Sequence, residues 1–223
     1  MSVEEAFRLR VRDVRTYLRS LQDIETRFSR PGRTFYSAAS AVNASRASVY
    51  IMIYNCVEFG LSASISGIRE TIHNGDYHFQ DVEEYWQNDL LRVNFSERLR
   101  QGTNHAQFVV DMSGATKGKA KWKHIARDLP FSGNIDQAQL LRMRDQLGYA
   151  WKIPKHTLGG ADLNLIRKHR NDLAHGEETF LNVGSSSDTM TLIEQLERIG
   201  RFFSSFLRML ERYQESRSFL RQP

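Results

Sequence analysis

Residues 49–61 have the sequence VYIMIYNCVEFGL, which is apolar nearly all around a helix. A helix without a polar face is typical of the centre of a helical bundle. The preceding residues, 35–48, are rich in alanine, so we expect one long helix over residues 35–73. The turn signal at residues 73–76, HNGD, ends it.

Two long amphipathic helices are predicted at the ends of the chain. A capping box at residues 2–5, SVEE, opens a helix over residues 2–29, which the RPGR sequence at residues 30–33 ends. Its apolar residues recur every three or four positions: Phe7, Val11, Val14, Leu18, Leu21, Ile24 and Phe28. The same spacing predicts a last helix over residues 189–221: Leu192, Leu196, Ile199, Phe203, Phe206, Leu210 and Tyr213.

Shorter helices are predicted between these, over residues 81–99, 134–149 and 161–176. Asn134 or Asp136 is the expected N-cap of the second, and Gly176 is the expected C-cap of the third. Residues 182–188 are polar and predict a loop. The apolar periodicity fails between residues 101 and 133.

We therefore predict an all-α fold, an antiparallel bundle of four to five main helices with an irregular insertion around residues 101–133. Residues 1–223 form a single domain in this prediction. Its core spans about residues 35–221, and residues 2–29 form its N-terminal helix.

Charge and cysteine content narrow the function classes. The chain has 31 Lys and Arg, 24 of them Arg, against 26 Asp and Glu, which gives a net charge of +5. Arginine suits phosphate and base stacking, although a GC-rich genome would also enrich it. The single cysteine, Cys56, excludes an internal disulfide framework and multi-cysteine metal centres. The acidic N-terminus and the short apolar run at residues 49–54 indicate a cytoplasmic protein with no membrane partner.

A basic run, KGKAKWK, occupies residues 117–123. It is open to two interpretations. It is either a solvated lysine-rich loop or an RNA-backbone contact in which Trp122 stacks on a base. The second interpretation assigns phosphate contacts to Lys117, Lys119, Lys121 and Lys123.

One segment carries candidate chemistry, LNLIRKHRNDLAHG at residues 163–176. On a helix, Leu163, Ile166, Arg170 and Leu173 fall on one buried stripe, so Arg170 takes a place expected for an apolar residue. A guanidinium there must be paired, or must face a cavity or a partner chain, because an unpaired buried charge is costly.

The residue types in this segment suit RNA cleavage. The RNA 2′-hydroxyl can attack its own adjacent phosphate, so no metal-bound water is needed. His175 can act as general acid or base, Arg170 can stabilise charge on the phosphoryl oxygens, and Asn171 can orient either. Attack and protonation of the leaving group occur on opposite sides of phosphorus. Two copies of the chain across a two-fold axis would place one catalytic group on each side. The alternative is an ion pair between Arg170 and Glu58, with His175 as an ordinary helix-terminal residue.

The sequence resembles the HEPN superfamily. RNDLAHG at residues 170–176 matches the R-x4-H motif of that superfamily, in the form with Asn directly after Arg. YNCVE at residues 54–58 is similar to the Tyr-Asn-x-x-Glu of stand-alone bacterial HEPN-like nucleases, and GNID at residues 133–136 is a further match. The resemblance covers the chain from about residue 35 onward.

The resemblance implies a helical bundle that dimerises and brings two R-x4-H motifs into one cleft. Active members are metal-independent endoribonucleases of toxin–antitoxin, anti-phage and CRISPR systems. If the roles of the family's motif residues are transferred to the matching positions of this sequence, Arg170 and His175 are catalytic and Asn171 supports them. Positioning or supporting roles go to Tyr54, Asn55, Glu58 and Asp172.

The expected function is therefore endoribonuclease activity by a homodimer without metal or cofactor, in a toxin or an anti-phage defence effector. Its substrate is RNA, and an antitoxin or another defence protein is a further expected partner. One alternative is a non-catalytic helical adaptor that binds a protein or a nucleotide in such a system. Another is a basic nucleic-acid-binding module that uses residues 117–127.

Overall fold

The apolar segment at residues 49–61 lies inside one helix of 39 residues, Tyr36–Asn74, as predicted. Its Tyr50 and Tyr54 side chains are at most 1% exposed, which fits a central position. The computed structural model describes residues 1–28, 36–100, 104–125, 129–130 and 134–222. The predicted turn at residues 30–33 lies outside the described residues.

The described residues form eight α-helices. In chain order they are α1 (Val3–Phe28), α2 (Tyr36–Asn74), α3 (Glu84–Arg100), α4 (His105–Lys117), α5 (Gln137–Leu147), α6 (Asp162–His175), α7 (Phe180–Ser185) and α8 (Thr189–Glu215). Pairing between extended residues in the described part of the chain is limited to two isolated bridges, His78–Lys119 and Val82–Leu220. The prediction of an all-α fold is confirmed.

The region predicted to be irregular, residues 101–133, contains a helix. Asn104 is the N-cap of α4, and its side chain accepts hydrogen bonds from the backbone N–H groups of Ala106 and Gln107. None of the α4 side chains is fully buried, so the helix has no apolar stripe that periodicity could detect. Residues 118–125 follow without helical structure.

The predicted loop at residues 182–188 is also partly helical. Thr179 is the N-cap of α7, where its hydroxyl accepts a hydrogen bond from the Asn182 N–H. A helix of six residues is too short to show a helical repeat in the sequence. The last helix, α8, ends at Glu215 rather than near residue 221.

The chain divides into two compact units. Unit 1 comprises Met1–Gly60, Asn134–Leu140 and Lys152–Leu207, and unit 2 comprises Leu61–Gly133, Leu141–Trp151 and Arg208–Pro223. Three helices, α2, α5 and α8, contribute residues to both units. The assignment of residues 1–223 to a single domain stays a prediction.

Unit 1 is built on contacts among α1, α2 and α8. The Phe7 ring meets the Phe203 ring edge-on, with centroids 5.1 Å apart. Gly60 lets α2 approach α8 closely, since a Cβ there would lie 2.9 Å from the Phe203 ring and 3.1 Å from Leu207. An ion pair between Arg15 and Glu197, with a shortest N–O distance of 2.7 Å, also joins α1 to α8.

Unit 2 has a core with polar pairs at its centre. The Trp86 indole donates a hydrogen bond of 2.8 Å to the Tyr213 hydroxyl, and both side chains are fully buried. Arg69 and Asp89 form a buried ion pair whose shortest N–O distance is 2.7 Å. The first pair links α3 to α8, and the second links α3 to α2. Polar contacts of this kind require specific partners.

Residues 39–74 of α2 are long and apolar enough to cross a membrane by length and composition. Half of the most apolar stretch of this helix, 18 residues long, is buried inside the protein. Central helices of globular proteins share this length and composition.

The close packing of α7 against α2 gives the first prediction. A Cβ on Gly184 would lie 1.7 Å from the Asn43 carbonyl oxygen, so Gly184→Ala forces the backbone apart. We expect the free energy of unfolding to fall by about 1–3 kcal/mol or more in urea denaturation. Gly114→Ala is the control, since a Cβ there meets nothing within 4 Å and alanine should add about 0.5–1 kcal/mol. Equal stability of Gly184→Ala and the wild type would contradict this packing.

Candidate functional site

The helix that carries the candidate chemistry, α6, is fixed at both ends. At its start, the Asp162 carboxylate accepts two hydrogen bonds from the Arg198 guanidinium, at 2.7 and 3.1 Å. At its end, Gly176 adopts a left-handed conformation with φ of 72°, and its N–H returns to the carbonyls of Asp172 and Leu173. The predicted C-cap at Gly176 is therefore confirmed.

Arg170 lies on the buried face of α6. The predicted stripe is present, since Leu163, Ile166 and Leu173 are all buried and Arg170 is half-buried beside them. The Arg170 guanidinium carbon lies 4.7 Å from the centroid of the Tyr54 ring, a cation–π distance. Its Nη1 also donates a hydrogen bond of 3.1 Å to the Asn171 side-chain oxygen.

The alternative ion pair between Arg170 and Glu58 is not formed. Among the described residues, no carboxylate lies within 4.0 Å of the Arg170 guanidinium. An aromatic ring and an amide oxygen thus hold the cation, and neither neutralises it. A positive charge held in this way can meet a phosphate.

A short chain of hydrogen bonds positions Arg170. The Asn171 amide donates to the Asn134 side-chain oxygen at 2.9 Å. The next backbone N–H, that of Ile135, donates to the Tyr54 hydroxyl at 3.0 Å. Residues 134–135 thereby connect the two groups that hold the guanidinium. We call Tyr54, Asn134, Ile135, Arg170 and Asn171 the Arg170 cluster.

Burial controls the ionisation of Tyr54 in this cluster. Desolvation raises the pKa of the Tyr54 phenol above its ordinary value, against the opposing effects of the Ile135 N–H and the Arg170 charge. The hydroxyl therefore stays protonated at neutral pH. It can accept the Ile135 hydrogen bond and present an uncharged ring to the guanidinium.

His175 is the last residue of α6 and is exposed. It follows Arg170 by five positions, so the two side chains leave the helix about 140° apart. Asn171 lies one turn before His175, on a neighbouring part of the surface. The Arg170 and His175 side chains of one chain therefore leave α6 in different directions.

The other predicted support residues divide into two groups. Glu58 is half-buried, and its charge raises the pKa of Tyr54 as a lesser contribution. Asn55 is exposed and makes no hydrogen bond to the described residues. Asp172 is buried and accepts a hydrogen bond of 2.7 Å from Lys168, so its carboxylate is engaged away from Arg170.

Sequence reasoning missed one site residue, Asn134, and the partly buried setting of a histidine on the same helix as Arg170, His169. The sequence marks Asn134 only as a helix cap and as part of a short match, yet its side chain holds Asn171. His169 packs on Tyr50 with ring centroids 4.5 Å apart, and its Nδ1 is buried without a partner among the described residues. Desolvation lowers the pKa of His169, so this ring is neutral at neutral pH.

The predicted stacking role of Trp122 is wrong. The Trp122 side chain is 2% exposed, and its indole nitrogen donates a hydrogen bond of 3.1 Å to the Asp89 carboxylate. The ring therefore fills the interior of unit 2 and is not available to a base. The sequence shows an aromatic residue among lysines, but its burial depends on residues far away in the chain.

The lysines of the basic run differ in their surroundings. Lys119 pairs with the Asp76 carboxylate, and Lys121 donates a hydrogen bond to the His73 carbonyl. Lys117 and Lys123 are exposed. RNA-backbone contacts by these four lysines stay a prediction.

Neither a metal site nor a cysteine nucleophile is apparent in the described part of the chain. Those residues contain no group of three His, Cys, Asp or Glu side chains that could hold a metal ion. Burial raises the pKa of the Cys56 thiol to about 11, so Cys56 stays protonated at neutral pH. A protonated, buried thiol is a core side chain rather than a nucleophile.

The Tyr54 hydroxyl gives the second prediction. Tyr54→Phe keeps the ring under Arg170 but leaves the fully buried Ile135 N–H without its acceptor. We expect the free energy of unfolding to fall by about 1–3 kcal/mol in chemical denaturation. Tyr17→Phe is the matched control, because the half-buried Tyr17 hydroxyl makes no hydrogen bond to the described residues. Equal stabilities of the two variants would exclude the proposed role of the hydroxyl.

Comparison with known proteins assigns this chain to no family. No protein-family model, no curated protein and no solved structure matches the chain. The resemblance to HEPN proteins therefore rests on the motif residues alone.

Proposed function

We propose that this protein is a HEPN-type endoribonuclease that cuts RNA without a metal, as a cytoplasmic homodimer. The observation that carries the proposal is the state of Arg170. Its guanidinium is half-buried and held by Tyr54 and Asn171, yet no carboxylate among the described residues neutralises it. A cation fixed in this way has the properties needed to bind a phosphodiester.

In the proposed reaction, the RNA 2′-oxygen attacks the adjacent phosphorus, and the bond from phosphorus to the 5′-oxygen of the next nucleotide breaks. One His175 accepts the 2′-hydroxyl proton, and the His175 of a second copy donates a proton to the departing 5′-oxygen. Arg170 stabilises the negative charge that grows on the phosphoryl oxygens. The products are a 2′,3′-cyclic phosphate and a 5′-hydroxyl.

The need for two copies follows from the geometry of the displacement. The attacking and leaving oxygens lie on opposite sides of phosphorus, whereas one chain provides one exposed His175 at the end of α6. A two-fold axis beside α6 would supply the second imidazole. Asn171 and Asn134 then act as positioning residues that keep Arg170 in place. The proposed biological role is that of a toxin or an anti-phage effector with a neutralising partner protein.

End-group analysis tests this proposal. Purified protein is incubated with a labelled RNA in excess EDTA, and the fragment ends are identified by mass spectrometry. The expected products carry 2′,3′-cyclic phosphate and 5′-hydroxyl ends. Fragments with 3′-hydroxyl and 5′-phosphate ends, or cleavage that requires an added divalent metal, would contradict the proposal.

A further inference from the structure

A buried polar cluster in unit 2 is centred on the Asp89 carboxylate. Arg69 donates two hydrogen bonds to it, at 2.7 and 2.8 Å, and both side chains are almost fully buried. Arg92 donates a third at 2.9 Å, and the Trp122 indole donates a fourth at 3.1 Å. A carboxylate offers about four acceptor positions, so the acceptor capacity of Asp89 is filled.

Two hydrogen-bond donors beside this carboxylate are left over. The Tyr85 hydroxyl and the Arg92 Nε are shielded from solvent and have no hydrogen-bond partner among the described residues. Burial and the Asp89 charge raise the pKa of Tyr85, so its hydroxyl keeps its proton. Buried polar groups are normally hydrogen-bonded, and two orphan donors in one place indicate that an acceptor belongs there.

Both residues line the same cavity. It has a volume of about 400 Å³, within the usual range for small-molecule sites. Its described lining consists of Glu84, Tyr85, Asn88, Asp89, Arg92, Pro130 and Gln146. Glu84, Asn88 and Gln146 are exposed, so the two amides can contribute further hydrogen bonds at the surface, where solvent screens the Glu84 charge.

We propose that this cavity binds the oxyanion of a small molecule, a phosphate or a carboxylate group, through Arg92 and Tyr85, whose side chains turn to present the two shielded donors to it. Both unpartnered atoms donate, so the complementary group must accept. One donor belongs to a cation, so a negative charge on that group strengthens the contact. Every described lining residue belongs to unit 2, whereas the Arg170 cluster belongs to unit 1, so this site does not depend on the proposed ribonuclease activity.

Calorimetric titration of the full chain with inorganic phosphate, and separately with succinate, tests the proposal. At least one of them should bind with a stoichiometry of one per chain. Binding of phosphate alone identifies a phosphate site, and binding of succinate alone identifies a carboxylate site. Failure of both to bind at millimolar concentrations would overturn the proposal.

Variants assign the binding to this cavity. Tyr85→Phe removes only the hydroxyl and should weaken binding at least about 10-fold, the usual effect of losing a hydrogen bond to a charged group. Arg92→Met should abolish binding. Arg142→Met, at an exposed arginine of the same unit outside the cavity, is the matched control and should bind as the wild type does. Unchanged binding by Tyr85→Phe would overturn the proposal even if Arg92→Met does not fold.

Discussion

Replacing Arg170 with Ala should lower the rate of RNA cleavage by about 100- to 1000-fold, the usual cost of removing one group that stabilises transition-state charge. The same change should have little effect on stability. Arg170 makes one hydrogen bond to Asn171 and one cation–π contact with Tyr54, which together contribute about 1–2 kcal/mol. A large kinetic effect with a small stability effect separates a catalytic arginine from a structural one.

Two companion variants sharpen this result. Arg170→Lys keeps the charge but loses the planar fork, so its cleavage rate should fall between those of the wild type and Arg170→Ala. His175→Ala should abolish cleavage without changing the melting temperature, because His175 is exposed. Arg19→Ala and His105→Ala are the controls, since both side chains are exposed and outside the Arg170 cluster.

The contrary result for Arg170 is equally clear. If Arg170→Ala lost about 3–5 kcal/mol of stability, as broken buried ion pairs do, and still cleaved RNA at the wild-type rate, Arg170 would be structural. The reaction would then use other residues. Cleavage rates and urea denaturation of the same samples decide between a catalytic and a structural Arg170.

Replacing Asp89 with Ala should destabilise the protein more than any other single change considered in unit 2. The substitution removes the ion-pair partner of Arg69, which is fully buried, and the acceptor of the Trp122 indole. We expect the free energy of unfolding to fall by about 3–5 kcal/mol, the usual cost of leaving a buried charge without its partner. Urea denaturation monitored by circular dichroism measures it.

The control for Asp89 is a carboxylate that forms an exposed ion pair. Asp145 pairs with Arg144 at 2.6 Å but has a side chain that is 64% exposed. Asp145→Ala should therefore cost only about 0–1 kcal/mol. Similar losses for the two variants would mean that Asp89 is not the centre of a buried cluster.

The sequence predicts the fold well where a helix buries a regular stripe. Helices α1 and α8 follow this rule, because Phe7 and Phe203, on their stripes, meet in the core of unit 1. The rule fails for α4, which buries no side chain completely, and for α7, which has six residues. Capping side chains, Asn104 and Thr179, start both helices, and a cap is a weaker signal than a repeat.

The site is predictable in part for the same reason. The helical stripe places Arg170 among buried residues, and the structure bears this out. The hydrogen bond between Asn171 and Asn134 joins residues 37 positions apart, so no local pattern reports it. Trp122 illustrates the reverse error, because a basic neighbourhood indicates a surface while its indole is anchored to the buried Asp89.

The central proposal is that Arg170 and His175 of two protomers act on one phosphodiester. Mixed dimers of wild-type and His175→Ala chains, made by co-expression at increasing fractions of the variant, test this most directly. The proposal predicts that RNA cleavage per wild-type chain falls as the variant fraction rises, because each wild-type chain then shares its site with an inactive partner. Cleavage that stays strictly proportional to the amount of wild-type chain would contradict it.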